Sequence, residues 1–152
     1  MAEPAKMELK GADITAARFQ QLQESLGKQL MGDIGMFLMT RVKTRTAAGI
    51  DVDGAPFTPY TAKYAFFRQS KGRPIDKVDL FFTGSMMSAM TMEETKDQVR
   101  VFFMGTQDRT GMSNPAKAFY LNEKRKFFAI SDQDRVDIGS LVLDTLREGG
   151  LR

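Results

Sequence analysis

Phe19, Leu22, Leu26, Leu30, Ile34, Leu38 and Val42 recur at steps of three or four, and this spacing predicts one long helix near the start of the chain. Asp13 or Thr15 supplies an N-cap. Between Met31 and Val42 the helix adds Met36, Phe37 and Met39, so its second half is apolar on most sides. Such a helix requires cover on more than one face. Gly32 and Gly35 lie inside it, each costing about 1 kcal/mol relative to alanine. Close approach by another backbone is a reason to keep them. Arg41, Lys43 and Arg45 close the helix where the macrodipole favours cations, and Ala47-Ala48-Gly49 stops it.

The remaining segments are shorter. Residues 1–12 read as a flexible arm, 13–148 as a single domain and 149–152 as a tail. Asp51 to Tyr60 reads as a loop, with Asp53-Gly54 as a turn and Pro56 and Pro59 barring regular pairing. Thr61 to Ser70 suits a short helix, and Met86 to Ala89 one helical turn. Met90 and Met92, then Val99, Val101 and Phe103, alternate around Lys96-Asp97 and predict a hairpin. Gly105 to Gly111 reads as a polar loop, Pro115 to Asn122 as a short helix and Lys124 to Ile130 as an extended segment. Ser131 with Asp134 resembles a capping box that opens a last helix, in which Ile138, Leu141, Val142, Thr145 and Leu146 share a face. The expected class is α+β: a long N-terminal helix and a C-terminal helix packed on a small antiparallel sheet, with extended loops.

The chain contains no histidine and no cysteine. Ser-His and Cys-His nucleophiles, imidazole or thiolate metal sites and disulfides are thereby excluded. Glu93 and Glu94 are adjacent on a strand and point to opposite faces, so they form no carboxylate pair. Asp51-Val52-Asp53-Gly54 opens like a calcium loop but lacks the later acidic positions, and reads as a turn whose glycine takes a positive φ. Asp132, Asp134 and Asp137 gather at a helix start, where carboxylates are stable without a metal. No phosphate-cradling glycine motif occurs. The reading is of a protein that is not an enzyme and has neither metal nor cofactor.

Basic residues cluster at 41–45, 63–73 and 124–126, interleaved with Tyr64, Phe66, Phe67, Phe127 and Phe128. This pattern invites a small nucleic-acid-binding accessory protein as the alternative reading. The net charge of +3 is too small to favour it in bulk. Methionine is abundant, 11 of 152 residues, and bunched at 31–39 and 86–92. It fills cores and also suits surfaces that repack against a partner. With the over-wide helix, it points to a subunit interface at Met36, Phe37 and Met39. No apolar run is long enough for a membrane span. The N-terminal residues lack the apolar core of a signal peptide, so an intracellular product is expected.

Three segments then resemble a known family. Asp51-Val52-Asp53-Gly54-Ala55-Pro56-Phe57-Thr58-Pro59-Tyr60-Thr61, with Lys63 after it, is similar to the first loop motif of phage virion morphogenesis (tail completion) proteins. Asp79-Leu80-Phe81-Phe82-Thr83-Gly84-Ser85-Met86-Met87-Ser88-Ala89-Met90 resembles their Leu-x-x-Thr-Gly-x-Leu segment. Lys124 to Ser131 resembles their closing basic segment. Phe57 stands where an indole is usual, Met87 where leucine is usual, and Lys124 and Lys126 where prolines flank the basic Arg125.

The resemblance implies a structural protein of a tailed phage or prophage, found in the virion neck or tail and in the bacterial host cytoplasm during assembly. It would complete the tail or join it to the head as a homo-oligomeric, hexameric ring. Its partners would be adjoining head-tail connector and tail proteins, with a lumen open to DNA. It adds Asp53, Gly54, Phe57, Pro59, Tyr60, Lys63, Thr83, Gly84, Met86, Met87 and Arg125 to the expected contact residues. Residues 1–11 and 107–114 are expected to order on docking.

Overall fold

The computed structural model describes residues 6–10, 27–106 and 111–148. In chain order the elements are β1 (Lys6–Lys10), α1 (Gly27–Ala48), α2 (Ala62–Ser70), α3 (Ser85–Ser88), β2 (Met90–Glu94), β3 (Gln98–Phe103), α4 (Asn114–Arg125) and α5 (Asp132–Glu148). This is an α+β fold.

Alternation of apolar side chains produces the expected hairpin. β2 and β3 pair antiparallel from Met90 opposite Phe103 to Glu94 opposite Val99. Val99, Val101 and Phe103 turn one face inward, and all three are buried. The expected loose arm is corrected here: Lys6–Lys10 is a strand on the other edge of β3, giving the order β1-β3-β2. Met7 is buried in the core. Two apolar residues at alternate positions are too few to register as a period, and the open edge of β3 completes the pattern.

Leu30, Ile34, Leu38 and Val42 of α1 form the buried stripe that their spacing predicts. Each contributes roughly 1.5–3 kcal/mol by leaving water. The expected N-cap, with Phe19, Leu22 and Leu26, lies outside the described residues. α1 contacts β2, β3 and α5, which supplies cover on more than one side. Gly35 meets the close approach expected of it. A Cβ there would lie 2.5 Å from Met92 Sδ and 2.7 Å from Val99 Cγ2. Gly32 does not, with nothing within 4 Å.

The C-terminus of α1 closes with Gly49 N–H donating to Thr46 O at 3.0 Å and Ile50 N–H to Arg45 O at 3.1 Å. These two bonds satisfy carbonyls that the helix leaves open. Ser131 and Asp134 cap α5 reciprocally: Ser131 N–H donates to Asp134 Oδ2 at 2.9 Å, and Asp134 N–H to Ser131 Oγ at 3.0 Å. The segment from Lys124 departs from its extended reading, because Lys124 and Arg125 end α4 and the chain leaves the helix at Lys126. Phe127 and Phe128 then pack with Phe103, at centroid distances of 6.2 and 4.9 Å from it. Among the described residues, no helix is long and apolar enough to cross a membrane.

Candidate functional site

The three segments that carry the family resemblance are far apart in sequence and meet at one cleft. Thr58, Pro59, Tyr60 and Thr61 come from the first, Leu80 and Phe82 from the second, and Lys124 and Arg125 from the third. Tyr64 and Arg68 of α2 and Lys117 and Leu121 of α4 complete the wall. The cleft encloses about 510 Å³.

Local sequence explains how the walls stand. Thr61 caps α2 by accepting from Tyr64 N–H at 3.4 Å. Ser113 caps α4, with Pro115 in its first turn, and accepts from Ala116 N–H at 3.2 Å. Tyr60, Tyr64 and Phe67 are four and three residues apart, so their rings share a side of the helix entry. Tyr60 and Tyr64 meet edge-on at 5.2 Å, Tyr64 and Phe67 lie at 6.1 Å, and Phe67 stacks on Phe82 at 5.5 Å. The result is an aromatic ladder running from the first segment to the second.

Arg68 holds the base of the ladder. It is 1% exposed, and its guanidinium donates to Pro74 O at 3.1 Å, Phe81 O at 2.9 Å and Asp79 Oδ1 at 3.3 Å. Asp79 Oδ1 also accepts from Tyr60 Oη at 3.3 Å and from Phe81 N–H at 3.0 Å. Burial pushes the Tyr60 phenol above its ordinary value, against the lowering effect of Arg68, so the hydroxyl stays a donor to Asp79. Burial pushes Lys117 below the usual lysine value. Arg125 anchors α4 to the first segment by donating to Thr58 O at 3.1 Å and Pro59 O at 3.5 Å.

Strained backbone flanks the cleft. Leu80 and Lys126 are non-glycine residues with positive φ, at 53° and 29°. Such conformations cost about 1–2 kcal/mol and persist where surrounding contacts hold them. Gly84, at φ 81°, is required for a steric reason as well. A Cβ there would come within 2.7 Å of Phe81 Cε2. The glycine therefore lets the Phe81 ring lie over the turn into α3.

The expected contact residues divide four ways. Tyr60, Pro59 and Arg125 line the cleft. Met36, Asp53, Lys63 and Thr83 are exposed elsewhere, as is Gly54, whose turn has the expected positive φ of 83°. Phe57, Gly84 and Met86 are corrected: all three are buried, and Phe57 and Met86 belong to this chain's own core. They were named as contacts through the resemblance, which carries no information on which side chains turn inward. Phe37, Met39 and Met87 are half-buried against the same core. Of the expected docking arm at 107–114, residues 107–110 lie outside the described residues. Asn114 is buried and donates to Met104 O at 2.9 Å, so it is no part of an open arm.

The basic clusters are also rearranged. Arg45, expected as a helix-end cation, is buried and donates to Asp134 Oδ2 at 2.8 Å and to the carbonyls of Phe127 and Ala129. Arg41 pairs with Asp137 and lies 5.0 Å from the Phe37 ring. Sequence reasoning missed Arg68, Asp79, Lys117 and Leu121. The Tyr60, Tyr64, Phe67 spacing was the available signal for the ladder, whereas nothing local marks Arg68 as the buried arginine. No family model, no curated protein and no solved structure matches this chain.

Proposed function

We propose that this chain is a structural subunit of a tailed-phage or prophage particle, completing the tail or joining it to the head as part of a ring in the neck. The observation that supports this reading is the meeting of the three resembling segments around one apolar, aromatic-walled cleft. Large apolar side chains also remain open to solvent in this single chain. Phe66 is 75% exposed, Phe81 45%, Met36 54% and Met104 56%. Aromatic and methionine side chains left open in this way suit contacts with further subunits.

Light scattering on the chain alone, and mixed with the head-tail connector and tail proteins of its own particle, tests the proposal. A defined oligomer or a defined complex with one of them is expected. A monomer indifferent to every one of them refutes the assignment.

A further inference from the structure

We infer that the cleft between α2 and α4 receives an acidic peptide segment of a partner protein, one bearing a large apolar side chain beside carboxylates. This rests on the reading of the chain as an assembly subunit and names the chemistry of what its cleft would hold.

Lys117, Lys124 and Arg125 line the cleft, and no carboxylate is among the described lining residues. Arg68, also in the lining, is buried and its charge is met by Asp79. Lys124 is exposed, and Lys117 and Arg125 are half-buried. Between these cations the wall is apolar: Pro59, Tyr60, Tyr64, Leu80, Phe82 and Leu121. A volume of about 510 Å³ accommodates a large side chain with its backbone. An occupant must match both properties at once.

Ring geometry favours peptide over nucleic acid. Base stacking needs open ring faces. Here the guanidinium groups of Arg68 and Arg125 sit 4.6 and 5.6 Å from the Tyr60 ring centroid. Phe82 is stacked by Phe67 at an interplanar angle of 18° and approached by Arg73 at 5.7 Å. These faces are engaged from within the chain.

The test uses the whole chain and four probes: a short peptide of glutamates around one phenylalanine, its glutamine counterpart, its serine-for-phenylalanine counterpart, and oligothymidine. Amide chemical shifts and the fluorescence of the chain report binding. With no tryptophan and 3 tyrosines, two of them at the cleft, the fluorescence is local. The acidic phenylalanine peptide should shift the cleft residues saturably, and both altered peptides should bind at least about tenfold more weakly. Lys124→Glu, on an exposed side chain, should weaken it by a similar factor, and Tyr64→Ser provides a second variant on the apolar wall.

Equal binding of the glutamine peptide, no saturable shift at millimolar peptide, or occupancy of the cleft by oligothymidine in preference to peptide would each overturn the inference. The two proposals fail separately. If Lys124→Glu with Tyr64→Ser still joins the neck and tail proteins while no peptide binds, the assembly role stands and this inference falls.

Discussion

Arg45, in the last turn of α1, donates to Asp134 in the first turn of α5 across 2.8 Å, joining residues 89 apart in sequence. Both side chains are buried. The pair ties the two principal helices together, and the carbonyls of Phe127 and Ala129 satisfy more of the guanidinium. A buried ion pair of this kind adds little net stability over an apolar pair of the same volume, yet breaking it is costly because one charge is left unmatched.

Arg45→Met is accordingly expected to destabilise the fold by about 3–5 kcal/mol in denaturant titration. The double variant Arg45→Met with Asp134→Leu should lose much less than the sum of the two single losses. Additive losses would show that the two residues act independently.

The same pair sets an acid sensitivity. Burial alone would raise the Asp134 carboxyl, but the Ser131 N–H, the Arg45 guanidinium and the Ser131 hydroxyl together hold it below its ordinary 3.8. A carboxylate depressed in the folded state stabilises fully above the unfolded value and loses that contribution as pH falls through the folded one. Unfolding free energy measured across the acid range should therefore fall below about pH 4. In Asp134→Asn the part of that fall due to this residue should vanish. An unchanged acid limb in the variant would exclude Asp134 as its source.

Gly32→Ala and Gly35→Ala should move stability in opposite directions. At Gly32 the space is open, so alanine gains helix propensity, up to about 1 kcal/mol. At Gly35 the Met92 sulfur can swing aside, but Val99 Cγ2, on a side chain 1% exposed, cannot. Overpacking of about 1–3 kcal/mol then outweighs the propensity gain. Thermal melts of the two variants decide the point, and a stabilised Gly35→Ala would mean that α1 and the sheet are less closely packed than described.

Arg68→Met retains much of the side-chain volume while removing every bond to Pro74, Phe81 and Asp79. These part-buried acceptors then lose their donor, at a cost of up to roughly 1–3 kcal/mol each where no water replaces it. Amide hydrogen exchange is expected to speed up through residues 71–84 while β2 and β3 keep their protection. Uniform loosening of the whole chain, or no change, would contradict the placement of Arg68 as the local brace.

Elements with a repeating signal were legible in the sequence. The stripe through Leu30, Ile34, Leu38 and Val42, the alternation of Val99, Val101 and Phe103, and the Ser131–Asp134 cap each depend on neighbours a few residues apart. What was hidden depends on distant partners. Arg45 and Arg68 look like surface cations because nothing beside them predicts Asp134 or Asp79. β1 was missed because its partner strand lies about ninety residues later. Phe57 follows a loop and Met86 sits in a single helical turn, and only the assembled core reveals them as buried. The cleft was half visible, since Tyr60 and Arg125 were singled out, but Lys117 and Leu121 reach it only through the placement of α4.

The account rests on apolar side chains that this chain leaves open and that contacts with other subunits would cover. Sedimentation velocity of the wild-type chain and of Phe66→Ser, over a range of concentrations, measures this most directly. Phe66 is 75% exposed, so the substitution should change stability by no more than about 0.5 kcal/mol. The wild type is expected to sediment as a defined multiple of its 17.0 kDa, with the variant shifted toward smaller species. Wild type and variant both sedimenting as 17.0 kDa monomers at every concentration, alone and with the neck and tail proteins, would contradict it.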